Sequence, residues 1–136
     1  MRYNLTLATY LFLTLILFSC KEKQPEKIKT SKGEINRVTP LEFQNELKNY
    51  TLIDIRTPRE FAQGKIEGAV NINYYDKDFL EQISKFDTSK PLFIYCRSGS
   101  RTYNAAKKIS DLGFTQVYDL NGGIINWHRN KLKIIK

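Results

Sequence analysis

Short apolar runs alternate with helical patterns along residues 34–136, and this alternation is the feature that most constrains the fold. The runs at 51–55, 69–72, 91–95 and 115–120 have the length and the branched or aromatic side chains of buried strands. Strands separated by helices form right-handed crossovers, which produce a parallel sheet covered on both faces. The sequence therefore predicts an α/β domain with a small parallel sheet of about five strands and helices on both faces.

Two tetrapeptides carry the same signal for the start of a helix. Residues 39–42 and 57–60 each place threonine before proline, with glutamate three positions after the threonine, as in a capping box. We predict helices that begin at Pro40 and Pro58, the second of which ends at Gly64. Three further helices are predicted, one starting near Asp76 and the others spanning residues 102–112 and 124–129.

The first twenty residues have the features of an export signal. Residues 3–19 contain no charge, and Arg2 precedes them. The sequence Leu17-Phe18-Ser19-Cys20 resembles the lipobox of bacterial lipoproteins, in which the cysteine is acylated and becomes the first residue of the mature protein. We therefore expect a signal peptide over residues 1–19 and a lipid on Cys20, which would place the protein in the bacterial cell envelope, facing the periplasm or the exterior. The alternative is an uncleaved signal anchor.

Residues 20–33 are interpreted as the lipidated cysteine followed by a tether. Residues 21–33 contain five lysines and two glutamates, with Pro25 and Gly33 and no apolar period. Such a segment is either a solvated spacer or a basic strip that lies on anionic lipid headgroups, and the sequence leaves both interpretations open. The domain itself, residues 34–136, contains 16 basic and 12 acidic residues, so its net charge is +4.

Charge and the inventory of cysteine and histidine exclude two classes of function. The domain is only mildly basic, and its sequence has no stripe of Arg and Lys interleaved with aromatic residues, which argues against nucleic acid. Cys20, Cys96 and His128 are too few for a zinc site of the usual Cys/His spacing, so we predict no metal and no cofactor. If Cys20 carries a lipid, Cys96 is a free thiol.

Cys96 lies where an α/β sheet places its ligands. It follows the most apolar predicted strand, and in parallel sheets ligands bind beyond the carboxyl ends of the strands. Residues 96–101 join this strand to a helix, so loop N–H groups and the helix N-terminus can point at the sulfur. Gly99 allows a tight turn, and Arg97 and Arg101 favour the thiolate, which is the nucleophilic form. A lone cysteine is usually a small buried apolar residue, but its place in this loop favours a nucleophile.

Five ordered motifs extend over nearly all of residues 34–136, namely Asp54-Ile55-Arg56 with Glu60-Phe61, residues 64–72, residues 95–101, Gly113-Phe114, and Gly122-Gly123 through Trp127. Together they resemble a single rhodanese-like sulfurtransferase domain. The sequence departs from the family at Lys65, where the family often has histidine. In the family this position lies in a turn away from the thiol, so the change is expected to affect substrate preference rather than abolish activity.

The resemblance implies a covalent mechanism. The Cys96 thiolate would attack the outer sulfur of thiosulfate or a similar anionic donor, hold that sulfur as a persulfide, and pass it to cyanide or a thiol acceptor. Loop N–H groups would bind the persulfide, and the Arg97 and Arg101 side chains would neutralise the leaving sulfite. The predicted substrate-binding residues are Arg97, Ser98, Gly99, Ser100 and Arg101.

Asp54 and Arg56 match family positions at the end of a neighbouring strand. We interpret Asp54 as structural. Glu60 lies four residues after Arg56. Arg56 either braces the loop by pairing with this glutamate or contacts the substrate.

Two other functions remain as alternatives. Phosphatases and arsenate reductases related to this family have the pattern Cys-x5-Arg, whereas Arg101 is the fifth residue after Cys96, so this loop is one residue too short to enclose a tetrahedral anion. Some rhodanese-like domains are non-catalytic interaction modules, but they commonly lack the cysteine. A sulfur carrier dedicated to one partner lies between enzyme and module.

Overall fold

The computed structural model describes residues 25–136, so the predicted signal peptide, Cys20 and residues 21–24 lie outside the described residues. None of the helices within 25–136 is long and apolar enough to cross a lipid bilayer. The strands of the described chain are β1 (Glu26–Lys29), β2 (Glu34–Val38), β3 (Thr51–Asp54), β4 (Val70–Asn71), β5 (Leu92–Tyr95) and β6 (Gln116–Leu120). Its helices are α1 (Pro40–Leu47), α2 (Pro58–Ala62), α3 (Phe79–Ile83), α4 (Ser100–Asp111) and α5 (Gly123–Arg129).

The strands form one sheet in the order β1-β2-β6-β5-β3-β4. Strand β1 runs antiparallel to β2, and the other pairings are parallel. The α/β fold with helices on both faces is therefore confirmed. The prediction of an all-parallel sheet of about five strands is corrected to a mixed sheet of six described strands.

Strand β1 lies inside the segment that was predicted to be a tether, so that segment is not entirely a solvated spacer. Ile28 of β1 pairs with Ile35 of β2, and the Thr30 N–H donates to the Gly33 carbonyl at 2.8 Å to close the turn. Ile28 is the one apolar residue of β1, and its neighbours in the strand are exposed, so hydrophobic periodicity gives no sign of this strand. Backbone pairing with β2 and the packing of the half-buried Ile28 against the core hold it on the edge of the sheet.

Local capping signals place the starts of α1 and α2 as predicted, whereas α3 begins at Phe79, three residues after the predicted start near Asp76. Thr39 and Glu42 form a complete capping box at the start of α1, and Thr57 and Glu60 form another at the start of α2. Helix α4 begins at Ser100, two residues before the predicted start, because Gly99 adopts a left-handed φ of 90° and ends the loop there. The early start of α4 brings its N-terminus directly after the loop that contains Cys96.

The core lies on both faces of the sheet. On one face, the side chains of α3 and α4 pack on β3, β5 and β6; on the other, α1 and α5 contribute Phe43, Ile124 and Trp127. Strand β5 lies in the interior of the sheet, between β6 and β3, and its four residues are buried. The hydroxyl of Tyr95 accepts a hydrogen bond from the Ile66 N–H at 3.1 Å, which ties the end of β5 to the segment before β4. The residue that follows Tyr95 is therefore held on a rigid interior strand.

Candidate active site

Cys96 directly follows β5 and is completely buried. It is a free thiol and belongs to the core cluster on the α4 face of the sheet. The position agrees with the prediction that the cysteine lies at the carboxyl end of an interior strand. Because Cys96 is buried, the loop that follows it covers the sulfur and supplies its polar contacts.

The loop supplies one direct hydrogen bond to the sulfur. The Gly99 N–H donates to Cys96 Sγ at 3.1 Å. Gly99 has the left-handed φ of 90° that lets the chain fold back over the cysteine, a conformation that other residues adopt at a cost. Of the predicted amide donors at Arg97, Ser98, Gly99, Ser100 and Arg101, the structure brings the Gly99 amide into hydrogen-bonding contact.

Thr102 is a neighbour of the sulfur that sequence reasoning missed. Its Oγ1 lies 3.8 Å from Cys96 Sγ and donates to the Gly99 carbonyl at 3.1 Å. The hydroxyl therefore fastens the same glycine whose amide contacts the sulfur. A threonine in the first turn of the helix that follows a cysteine loop is the signal that could have revealed it, since such hydroxyls commonly bond to nearby backbone.

The start of α5 packs against the backbone carbonyls of the loop formed by residues 96–101, which we call the cysteine loop. The Ile124 N–H donates to the Cys96 carbonyl at 2.9 Å, and the Ile125 N–H donates to the Arg97 carbonyl at 3.2 Å. A Cβ atom on Gly123 would lie 2.5 Å from both of those carbonyl oxygens. The Gly122-Gly123 motif therefore allows two backbone segments to meet where any side chain on Gly123 would separate them.

Arg101 is held by Glu60 on the opposite side of the loop. Its Nη1 and Nη2 donate to the two carboxylate oxygens of Glu60 at 2.9 and 2.7 Å, and the ring of Tyr75 lies 5.8 Å from the guanidinium. The hydrogen bonds from Arg101 lower the pKa of Glu60 from its usual 4.5 to about 2. Glu60 also accepts from the Thr57 N–H at 3.0 Å, so the cap of α2 and the loop that contains Cys96 share one carboxylate.

Arg56 forms its hydrogen bonds with Asp54 and Gly64 rather than with Glu60. Its Nε donates to Asp54 Oδ1 at 2.9 Å and its Nη2 donates to the Gly64 carbonyl at 2.7 Å. Asp54 is completely buried and Arg56 is 6% exposed. The predicted pairing of Arg56 with Glu60 is therefore corrected: Arg56 braces the end of β3 through Asp54 and Gly64, and Glu60 pairs with Arg101.

Arg97 differs from Arg101 in having no ion-pair partner among residues 25–136. Its side chain is exposed at the rim of the loop. Of the two loop arginines, Arg97 is thus the one with a guanidinium available to an incoming anion. Among the described residues, no three His, Cys, Asp or Glu side chains are grouped so as to hold a metal ion.

The fold and the site together define a class of protein. It is an α/β domain in which a buried cysteine at the carboxyl end of an interior parallel strand lies in a short loop that leads into a helix. In this class the loop amides, a rim arginine and the helix N-terminus are the groups that can stabilise negative charge on sulfur.

Comparison with known proteins identifies the family. A family model of the Rhodanese-like domain matches residues 39–130, so the chain belongs to the rhodanese-like family. It is 38% identical over 96 residues to thiosulfate sulfurtransferase 16, chloroplastic, of Arabidopsis thaliana, a match that covers 63% of this chain and 80% of that protein. It is 35% identical over 91 residues to thiosulfate sulfurtransferase GlpE of Shewanella oneidensis, with 67% and 88% covered.

A solved structure supports the same assignment of the fold. The crystal structure of a rhodanese-related protein from Thermoplasma volcanium is similar to this chain, with a TM-score of 0.66 and 25% sequence identity. The similarity covers 73% of this chain and 96% of that chain. The predicted rhodanese-like fold is thereby confirmed.

Proposed function

We propose that this protein is a sulfurtransferase that moves a sulfane sulfur from thiosulfate or a similar anionic donor to cyanide or a thiol acceptor. The observation that carries the proposal is the free Cys96 thiol, buried at the end of β5, with the Gly99 amide 3.1 Å from its sulfur. The relatives named thiosulfate sulfurtransferase support sulfur transfer in general. The burial of Cys96 adds a reason for covalent chemistry, because its sulfur is shielded from water.

In the first half-reaction the Cys96 thiolate attacks the outer sulfur of thiosulfate. A new S–S bond forms, the bond between the two sulfur atoms of the donor breaks, and sulfite leaves with the electron pair. The products are the Cys96 persulfide anion and sulfite. The exposed guanidinium of Arg97 would neutralise the leaving sulfite, whereas that of Arg101 is already engaged by Glu60.

In the second half-reaction an acceptor removes the outer sulfur. Cyanide attacks that atom, a carbon–sulfur bond forms, the S–S bond breaks and the thiolate of Cys96 is regenerated with thiocyanate as product. No external oxidant or reductant is needed. The Gly99 amide, which contacts Sγ in the free protein, stabilises the negative charge that alternates between the thiolate and the persulfide.

The geometry gives less support to oxyanion chemistry. A Cys-x5-Arg site needs an arginine that faces a tetrahedral anion, and the guanidinium of Arg101 is turned to Glu60 through two hydrogen bonds. A non-catalytic module is the remaining alternative, and a carrier that serves one partner is a special case of the same persulfide chemistry.

The proposal is tested with the chain from residue 22 onwards, assayed for thiocyanate formation from thiosulfate and cyanide. We expect turnover in the parent and background rates in Cys96→Ala, with an unchanged circular dichroism spectrum. Undiminished turnover in Cys96→Ala would disprove the role of the cysteine. A parent that is inactive with several donors would indicate an interaction module instead.

We also propose that the protein is anchored in the bacterial envelope by lipid on Cys20, with its domain facing the periplasm or the exterior. The support is the charge-free segment that ends in Leu17-Phe18-Ser19-Cys20. Firm attachment requires more than one acyl chain, as lipoprotein maturation provides. Cys20→Ala should abolish acylation and cleavage before residue 20. A native protein that retains residues 1–19, or that carries no lipid by mass, would refute the anchor.

A further inference from the structure

Two neighbouring hollows share the residues Arg37 and Tyr103 in their linings. The first, of about 660 Å³, begins at Ser98, Gly99 and Ser100 of the cysteine loop. The second, of about 340 Å³, lies between β1 and α4. We call the two together the α4 groove. The α4 groove extends from the cysteine loop, past Tyr103 and Lys107 of α4, to the edge strand β1.

The two ends of the α4 groove have different chemistry. The end at the loop is polar, and its lining includes the amide side chains of Asn104, Asn121 and Asn126. The far end has a floor that includes Ile28 of β1 and Ile35 of β2. Strand β1 thus does more than extend the sheet, because Ile28 supplies part of an apolar hollow that the other strands alone would leave open.

Charge along the far end is mainly positive. Lys29 and Lys107 line it, and Asp111 is the one carboxylate there. Lys107 has no ion-pair partner among residues 25–136. Arg37, by contrast, is already paired with Glu26 at 2.8 Å and Asp119 at 3.0 Å, so its charge is balanced within the protein. Lys29 likewise has no ion-pair partner among these residues, but Lys107 lies on α4, four positions after Tyr103. An acidic side chain of a ligand that contacts Tyr103 would therefore find its partner at Lys107.

Tyr103 separates the two ends and is 62% exposed. The guanidinium of Arg37 lies 4.8 Å from the centre of its ring, which fixes the ring without covering it. Tyrosine is among the residue types enriched where proteins bind one another, because its rigid ring buries a large area with little loss of side-chain freedom.

We propose that the α4 groove binds an extended segment of a sulfur-acceptor protein. The segment presents its cysteine at the loop, an acidic residue at Lys107 and a bulky apolar side chain in the hollow formed by Ile28 and Ile35. From Ser100 to Lys107 the helix rises by ~10 Å, which an extended chain spans in about three residues. Lys107 lines the same hollow as Ile28 and Ile35. The cysteine is therefore expected about three or four positions from the residues that occupy this hollow, the acidic one and the apolar one. The inference rests on the proposed sulfur transfer and names its acceptor class.

The transfer step is balanced without any further reagent. The acceptor thiolate attacks the outer sulfur of the Cys96 persulfide, a new S–S bond forms on the acceptor, and the old S–S bond breaks. The Cys96 thiolate leaves with the electron pair, and the acceptor becomes a persulfide. A small thiol contacts only the polar end of the groove, whereas a protein segment uses its whole length.

The test uses the full chain, charged with thiosulfate, and three synthetic peptides. The first carries a cysteine, glutamates and a leucine three positions from the cysteine; the second replaces the glutamates by glutamine, and the third replaces the leucine by serine. We expect the first to accept sulfur about tenfold faster than either of the others. Lys107→Glu and Tyr103→Ala should each lower its rate relative to the rate with cyanide. Lys48→Glu, at the C-cap of α1 and outside the lining of both hollows, should leave that ratio unchanged.

A binding measurement separates this inference from the proposed function. The first peptide, with serine in place of cysteine, should bind the full chain in a titration followed by peptide fluorescence, and Lys107→Glu should weaken that binding about tenfold. Binding that is lost with Lys107→Glu upholds the groove even if no sulfur is transferred. Thiocyanate formation combined with equal rates for all three peptides would overturn the groove and leave the enzyme. The groove would also be overturned if a single-stranded oligonucleotide bound more tightly than the peptide and lost its binding in Lys107→Glu.

Discussion

Two helices contact the cysteine loop in different ways: α5 through backbone hydrogen bonds and α2 through an ion pair. On one side, the backbone of α5 contacts the loop directly, with the amides of Ile124 and Ile125 on the carbonyls of Cys96 and Arg97. On the other side, α2 holds the loop through charge, with Glu60 on Arg101. The backbone contact depends on the absence of a side chain at one position, whereas the ionic contact depends on two side chains that water and protons can reach. We therefore expect the α5 side to tolerate far less change than the α2 side.

Gly123→Ala tests the backbone contact and has the largest expected effect. The new methyl group would lie 2.5 Å from the carbonyl oxygens of Cys96 and Arg97, so the loop must move. A displacement of ~1 Å at a reacting group can lower the rate about 10²-fold, and we expect a loss of that order in kcat/KM for thiosulfate.

Gly68→Ala is the matched control for Gly123→Ala. Gly68 also has a left-handed φ, of 81°, but a Cβ there meets no atom within 4 Å. Both variants bear the conformational penalty of alanine in this region, and only Gly123→Ala adds the collision. Equal activities of the two variants would show that the α5 contact does not position the loop.

Arg97→Ala tests whether the arginine without a partner is the one that meets the donor. Loss of a charge-assisted contact to an anion at an exposed position should lower kcat/KM for thiosulfate about tenfold, while Arg97→Lys should retain most of the rate. Steady-state kinetics with thiosulfate and cyanide measure both. If Arg97→Ala leaves the dependence on thiosulfate unchanged, another group binds the donor.

Glu60→Gln tests the ionic contact and should have a smaller effect. The variant keeps the shape of the side chain and removes its charge, so Arg101 loses an ion-pair partner that is worth about 1 kcal/mol or less in this partly exposed setting. We expect a two- to fivefold change in kcat/KM.

Glu42→Gln is the control for Glu60→Gln. Glu42 has the same capping role at α1, where it accepts from the Thr39 N–H at 3.0 Å. It does not bind the loop arginine, whose partner is Glu60. The two variants lose comparable capping, and a difference in activity therefore reports the loop contact. Identical kinetics in both variants would show that Glu60 acts only as a helix cap and does not position the loop.

Acid should weaken the ionic contact only at low pH. The pKa of Glu60 is lowered from 4.5 to about 2, so its contribution to folding is complete above about pH 4.5 and is lost as the pH falls towards 2. The free energy of unfolding, measured with urea, should differ between the parent and Glu60→Gln by a constant amount above pH 5, and this difference should shrink below pH 4.5. A difference that already declines between pH 7 and 5 would contradict the strength of the pair.

The elements that sequence reasoning predicted are those specified by nearby residues. The capping boxes at Thr39 and Thr57 act over three positions, and the apolar run of β5 is continuous. Strand β1 could not be predicted because a single apolar residue, Ile28, gives no periodicity, and its pairing with β2 is not visible in the local sequence. Strand β2 was also missed, since the polar residues Asn36 and Arg37 interrupt its apolar pattern.

The site shows the same limit. The position of Cys96 and the need for Gly99 follow from the loop itself. The partner of Glu60 does not, because Arg101 lies 41 positions further along the chain and i, i+4 spacing favours Arg56 instead. The role of Gly123 depends on how closely α5 approaches the loop, and that approach is a property of the assembled sheet.

The central claim is that Cys96 carries the transferred sulfur. Its most direct test is the intact mass of the protein before and after incubation with thiosulfate, followed by peptide mapping. The account predicts one extra sulfur atom on the peptide that contains Cys96, its removal by cyanide with release of thiocyanate, and no such adduct in Cys96→Ser. An unmodified Cys96 in a protein that still produces thiocyanate, or a sulfur bound at another residue, would contradict the account.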